Sequence, residues 1–316
     1  MKDSLQARIW VALVTVYIVW GSTYLAIRFA VETMPPFLMA GVRFLVAGLI
    51  LYAWRKFSGD IPARKIEWRS AAIIGFFLLV GGNGSVVWAE QRVPSGIAAL
   101  MVGSAPLWMV LLDALRPGGQ RPGWRTITGV LIGFAGIVLL IGPGQVAGNG
   151  GQSDPLGVAA LFLAAFMWAV GSLYSRNAQL PASPLLGTGM EMLAGGAMLL
   201  LLGTVSGEWS RVDLTSISAR SWWGLIYLIV FGALIGFAAY TWLLRVAPTP
   251  LVSTYAYVNP LIAILLGSML ADEQLTLRIV ISALVIVSSV ALINTSKGAA
   301  TKKTAPIEVV TPTGDD

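Results

Sequence analysis

Ten runs of about 20 apolar residues follow one another along the chain, near residues 9–30, 36–54, 70–89, 95–114, 123–141, 155–175, 185–205, 221–244, 250–270 and 275–295. A helix rises 1.5 Å per residue, so a run of about 20 crosses the hydrocarbon core of a bilayer. Backbone polar groups find no water there, and a helix satisfies them within the segment. The expected class is therefore an all-α integral membrane protein with ten transmembrane helices. Composition agrees, with 56% of the residues hydrophobic and 11% charged, about half the charged share of an average soluble domain. Tryptophans such as Trp10, Trp54, Trp124 and Trp223 stand at run borders, where an interfacial belt is expected. The first run is as long as the others, with no signal-peptide cleavage site set apart from it.

Several function classes drop out. The chain holds no cysteine and no histidine, which removes disulfides, thiolate nucleophiles, imidazole relays and His-based metal sites. The glycine-rich stretch GPGQVAGNGGQ at 142–152 lies between two spans and lacks the Lys-Ser/Thr of a phosphate loop. Paired carboxylates are missing as well, so no enzyme, cofactor or metal is expected. The net charge of +6 is spread over short loops between apolar runs, which does not call for nucleic acid. If the N-terminus is cytoplasmic, fifteen lysines and arginines fall on inner segments. Arg92, Arg211, Arg220 and Arg278 fall outside, and Arg28 and Arg43 lie within spans. That asymmetry predicts both termini inside. Residues 296–316 are polar and read as a disordered cytoplasmic tail.

The chain also repeats itself. Residues 20–51 align without a gap on 168–199, with ten identities in 32 positions, among them Trp20/Trp168, Arg28/Arg176, Pro36/Pro184, Gly41/Gly189 and Gly48/Gly196. Beyond the 205–220 loop the offset grows to 154, pairing Gly82 with Gly236, Trp88 with Trp242, Pro94 with Pro248 and Pro106 with Pro260. Two units result, 9–141 and 155–295, with five spans each. Five is odd, so the copies are expected to be inverted in the membrane around a central cavity. Interrupted helices at matching positions of inverted repeats point to a transporter with its site near the midplane. Pro106 and Pro260 both fall about halfway along their spans. A proline there frees a carbonyl, which in a membrane survives where it faces protein or a wet cavity.

The stretches VWGSTYLAIR, GVRFLVAGLIL and YAYVNPLIAILLGSMLADEQL, the last reaching an acidic Glu273, together resemble the EamA-type members of the drug/metabolite transporter superfamily. The resemblance covers residues 9–295. It implies a ten-helix carrier, many of its kind being exporters of amino acids, amino-acid analogues or drugs. The first repeat departs from the pattern, since Gly119 stands where the counterpart of Glu273 would sit.

Candidate substrate-binding residues follow from polarity at mid-span. Trp20 and Tyr24 share one face of the first span, and their counterparts are Trp168 and Ser172. Each can line a cavity or simply pack the bundle. Asn83, flanked by Gly81, Gly82 and Gly84, is an amide in hydrocarbon, serving a cavity or a helix-to-helix hydrogen bond. Tyr257 and Asn259 precede Pro260, and a kink there lets both face one cavity that Tyr255 leaves. Met101 and the carbonyls freed at Pro106 and Pro260 complete the set. The pairs Gly129/Gly133 and Gly232/Gly236 have the spacing of close helix contacts. Arg28 and Arg176 read as snorkelling anchors. Glu191, an acid well inside a span, is a coupling candidate, the alternative being an ion pair with Arg176 or Arg245. The expected function is a monomeric carrier in the bacterial inner membrane, its partners the lipid bilayer and a small amphipathic substrate, an amino acid favoured. A phosphorylated substrate would want several mid-membrane cations where only Arg43 qualifies. A passive channel would want a polar stripe along a helix, and none is seen.

Overall fold

The computed structural model describes residues 2–116, 122–141, 154–247, 249–252 and 254–301. All regular elements among them are helical. Eight helical segments are long and apolar enough to cross a membrane, and two apolar helices of 10–17 residues follow them, Tyr255–Leu270 and Leu277–Ile293. The protein is thus a multi-pass membrane protein.

In order, the helices are α1 Lys2–Ala30, α2 Pro36–Phe57, α3 Lys65–Gly75, α4 Ser85–Ala89, α5 Ser95–Val102 and α6 Ala105–Leu115. There follow α7 Trp124–Ile141, α8 Pro155–Ser175, α9 Pro184–Val205, α10 Ala219–Tyr227 and α11 Gly236–Val246. The last are α12 Thr249–Val252, α13 Tyr255–Leu270 and α14 Leu277–Thr301. Prolines open several of them. Pro36, Pro155 and Pro184 occupy first-turn positions, where the missing N–H is no loss. The last helix runs to Thr301, so the boundary expected at Ser296 falls inside it, where Ala299 and Ala300 favour helix. The rest of the expected tail lies outside the described residues.

Two departures from a plain α-helix matter. Residues Phe76–Gly84 join α3 to α4 as a π-helix, and Leu228–Ile235 join α10 to α11 in the same way. The two stretches overlap at the 154 offset, and a widened turn of this kind tends to mark a functional segment. The fourth apolar run is broken at Gly103 and Ser104, so Pro106 lies in the first turn of α6 rather than inside a helix. In the ninth run α12 ends at Val252 and α13 runs through Pro260. The two interruptions differ by about one turn in register, because Ser104 supplies a turn where the second copy keeps helix.

Glycines set the closest approaches. A Cβ on Gly48 would stand 2.8 Å from Leu193 N, one on Gly189 3.0 Å from Tyr52 N, and one on Gly196 2.8 Å from Leu45 N. Position 41 meets 196–200 while 48 meets 189–193, so α2 and α9, helices of 22 residues each, cross antiparallel. The fifth and last long helices do the same, with Gly129 against Ile293 and Gly136 against Ile286. Side-chain-free seams let backbones approach where lipid offers no hydrophobic push.

Candidate functional site

Trp20 sits at the centre of an aromatic cluster. Its ring centroid lies 5.2 Å from Phe237, 5.0 Å from Tyr240 and 5.2 Å from Tyr255. Its indole Nε1 donates to the carbonyl of Gly232 at 3.2 Å. A Cβ on Gly236 would come within 2.3 Å of that same nitrogen, so the indole edge meets a bare backbone. Trp168 has the matching partner: a Cβ on Gly82 would stand 3.1 Å from its Cε3. Each tryptophan of one half therefore rests on the counterpart glycine of the other. Both glycines of the Gly232/Gly236 pair thus touch Trp20.

The other sequence-derived residues distribute unevenly. Tyr24 packs against the main core one turn beyond Trp20. Asn83 lies half-buried in the first π-helical stretch, makes no hydrogen bond among the described residues, and has Phe237 as its counterpart. Ser172 is half-buried, its carbonyl accepting from Ser175 Oγ at 2.9 Å. Met101 is buried in the core. Pro260 is buried too, its ring Cγ 3.0 Å from where Gly103 would carry a Cβ, so the break in the fourth run packs on the proline of the ninth. Asn259, with its amide oriented to satisfy its neighbours, donates to the carbonyls of Tyr255 at 3.1 Å and Tyr17 at 3.3 Å. Tyr257 packs on the large core, while Tyr255 joins Trp20. Tyr240 and Phe237, also in the cluster, stand in an apolar run whose facing residues only the π-helical register reveals.

Charged residues differ more from expectation. Glu191 forms no ion pair with any described cation, and Arg176 is exposed at the end of α8. The expected partnership with Arg176 therefore does not form, because the arginine reaches outward; the side chain of Arg245 lies outside the described residues. Arg28 is not an anchor, since its Nη1 donates to the backbone carbonyl of Glu90 at 2.8 Å. Glu90 follows the third apolar run and is fully buried. Its signal in the sequence is slight, an acid at a span border. Glu273 turns inward, accepting from the backbone N–H of Ser95 at 2.7 Å and of Gly96 at 3.0 Å. Glu208 does the same for Phe37 and Leu38, at 3.3 and 2.9 Å.

A cavity of about 480 Å³ opens between α3, α6 and α8, lined by Ile66, Ser70, Leu112, Arg116, Leu173 and Tyr174 among others. None of the sequence-derived site residues lines it. The counterpart positions in the other half are closed. Arg220 lies 3.6 Å over the Phe29 ring, donates to the Leu270 carbonyl at 2.9 Å and pairs with Glu32 at 3.4 Å. A Cβ on Gly224 would stand 2.9 Å from Ala26 O. One end of the bundle thus has an opening where the other is sealed.

The EamA-like transporter family model matches this chain twice, over residues 8–142 and 155–295. The chain belongs to the EamA-like transporter family. Among its relatives is the uncharacterized inner membrane transporter YedA of Escherichia coli K12, 39% identical over 290 residues and covering 90% of each chain. The uncharacterized transporter YvbV of Bacillus subtilis is 26% identical over 95% of each chain. The chloroplastic WAT1-related protein At3g02690 of Arabidopsis thaliana is 24% identical over 92% of this chain and 70% of its own. A solved crystal structure of another protein superposes with a TM-score of 0.62 at 22% identity, covering 94% of this chain and 99% of that one, and speaks for the fold alone. An EamA-like protein with these membrane helices is a transporter rather than an enzyme, and it acts on a small molecule within a lipid bilayer.

Proposed function

We propose that the protein is a ten-helix carrier of two inverted five-helix repeats that exports amino acids or related small amphipathic metabolites by alternating access. Both termini face the cytoplasm. The observation that carries this reading is the reciprocal contact of Trp20 on Gly236 and Trp168 on Gly82. It is what a pseudo-two-fold axis through a central site produces, and the antiparallel crossings of α2 with α9 and of α7 with α14 support the same axis. The two separate family matches divide the chain at the same place. Opening at one end with closure at the counterpart end fits one state of an alternating cycle. By the charge count, the open end is the cytoplasmic one. The aromatic walls suit an apolar side chain, and Asn83 with the break at Gly103 and Ser104 suits a polar head.

The direct test is purified protein in liposomes offered radiolabelled amino acids with and without a pH gradient. Saturable uptake of a subset, absent from protein-free liposomes, is expected. Uniform leak of every solute would speak for a channel, and no uptake at all would remove the substrate class. A separate experiment checks orientation. In spheroplasts, a cysteine at the exposed Ser58 should resist a membrane-impermeant thiol reagent, and one at the exposed Ser210 should react. Labelling of Ser58 but not Ser210 would invert the topology.

A further inference from the structure

Among the described residues, five of the eight buried side-chain polar atoms without a hydrogen-bond partner belong to three residues, the others being on Trp108, Asp113 and Ser282. The five are Nε and Nη1 of Arg43, both carboxylate oxygens of Glu90 and the hydroxyl of Ser95. Arg43 is 4% exposed and Glu90 0%. The two charges interact electrostatically, yet no ion pair joins them or ties either to another described residue. Their charged neighbours do not relieve them by contact. Arg28 bonds only the backbone carbonyl of Glu90, and Glu273 directs its oxygens to the Ser95 and Gly96 amides. Arg43 meets the Phe44 ring 4.7 Å away, and its Nη2 lies 3.2 Å from where Gly232 would carry a Cβ. Gly232 is the residue whose carbonyl holds the Trp20 indole. Arg28, which holds the Glu90 carbonyl, stands one turn from Tyr24 and two from Trp20 on α1. Arg43 therefore lies against the backbone that holds Trp20, and Glu90 against the α1 turn that follows Tyr24.

Burying two opposite charges without joining them costs more than burying a contacting pair. The guanidinium cannot shed its charge, and it offers donors only. A ligand carrying one group of each sign, held apart by a short covalent frame, satisfies both ends at once. We propose that Arg43 and Glu90 form a split-charge site for a zwitterion with an apolar side chain. The guanidinium takes the carboxylate, Glu90 takes the ammonium, and the Trp20 cluster takes the side chain. This rests on the transporter reading above and names the groups that read the substrate's charge.

The test uses the full-length protein in liposomes with three probes: phenylalanine, phenethylamine (which lacks the carboxylate) and 3-phenylpropionate (which lacks the ammonium). Each is measured by competition against whichever labelled amino acid the protein takes up. The wild-type protein should prefer phenylalanine to both truncated probes by at least tenfold. Glu90→Gln should lose the preference over 3-phenylpropionate and keep that over phenethylamine; Arg43→Gln should do the reverse. Because either single change leaves one buried charge alone, the neutral double variant guards against misfolding, and it should discriminate against neither probe. Equal weakening of all three probes in both single variants, or wild-type discrimination in a folded double variant, would overturn the site while leaving the transporter reading intact. Failure of the wild-type protein to take up any amino acid would overturn both.

Discussion

Gly236→Ala should cut transport about tenfold or more, whereas Gly82→Ala should leave most of it. The contacts are counterparts, but their tightness is not. An alanine Cβ at 236 would lie 2.3 Å from Trp20 Nε1, and one at 82 would lie 3.1 Å from Trp168 Cε3. The first cannot be absorbed by a few tenths of an ångström. Trp20 is also packed against Phe237, Tyr240 and Tyr255, so few directions are open to its ring. Moving it breaks the bond from Nε1 to the Gly232 carbonyl and displaces the backbone on which Arg43 rests. Overpacking of this kind costs about 1–3 kcal/mol, and about 1.4 kcal/mol of misplaced binding is a factor of ten in rate. Uptake rates at matched amounts of folded protein, with melting temperatures in detergent, decide it. If the two variants behave alike, the tryptophan contacts are mere packing and the central site lies elsewhere.

Much of the architecture was legible because a bilayer imposes a length on every apolar run. The runs expected to start near 36, 155 and 185 do so, the helices opening at Pro36, Pro155 and Pro184. What composition could not reveal was register inside a uniformly apolar stretch. The segments FFLLVGGNG and LIVFGALI carry no alternation that separates a turn of 3.6 residues from a wider one, so both π-helical stretches stayed hidden. That register decides which side chains meet Trp20, which is why Phe237 and Tyr240 were missed. Tyr255 was passed over for Tyr257 on the assumption that the kink at Pro260 would turn the chain. Instead α13 continues through the proline, and the ring fits against Gly103. Glu90 was missed for a different reason. An acid at a span border reads as a loop residue, and its burial depends on partners such as Arg28, 62 residues away.

Glu273→Ala should be the most destabilising single change at the sealed end. The helix α5 starts after Pro94, which has no side chain able to cap the first amides. Glu273 does that work from the far end of the chain, accepting from Ser95 and Gly96. Ser95 is fully buried, so water does not readily replace the carboxylate. Leaving a buried donor unpaired costs about 1–3 kcal/mol, so losing two bonds costs roughly 2–6 kcal/mol. Glu273→Gln keeps one accepting oxygen but turns an amide N–H₂ toward the second donor, so it should fall between. Glu208 caps α2 in the same manner after Pro35, and Glu208→Ala should act in the same direction. The measurement is the melting temperature, together with hydrogen exchange of the amides at 95–98. Those amides should exchange faster in Glu273→Ala even below its melting transition. Wild-type stability and exchange in the alanine variant would mean that the carboxylate does not hold the helix. The sequence does not repeat this pairing, since residue 119 of the first half is glycine and position 250 of the second, the counterpart of Gly96, is a proline without an N–H. The acid and one of the two donors are thus missing from the counterpart sequence, Thr249 keeping the other. Under the alternating access proposed above, opening the sealed end requires either breaking two charge-assisted bonds or moving α5 and the Glu273 turn as one body. The exchange rates at 95–98 during transport distinguish the two.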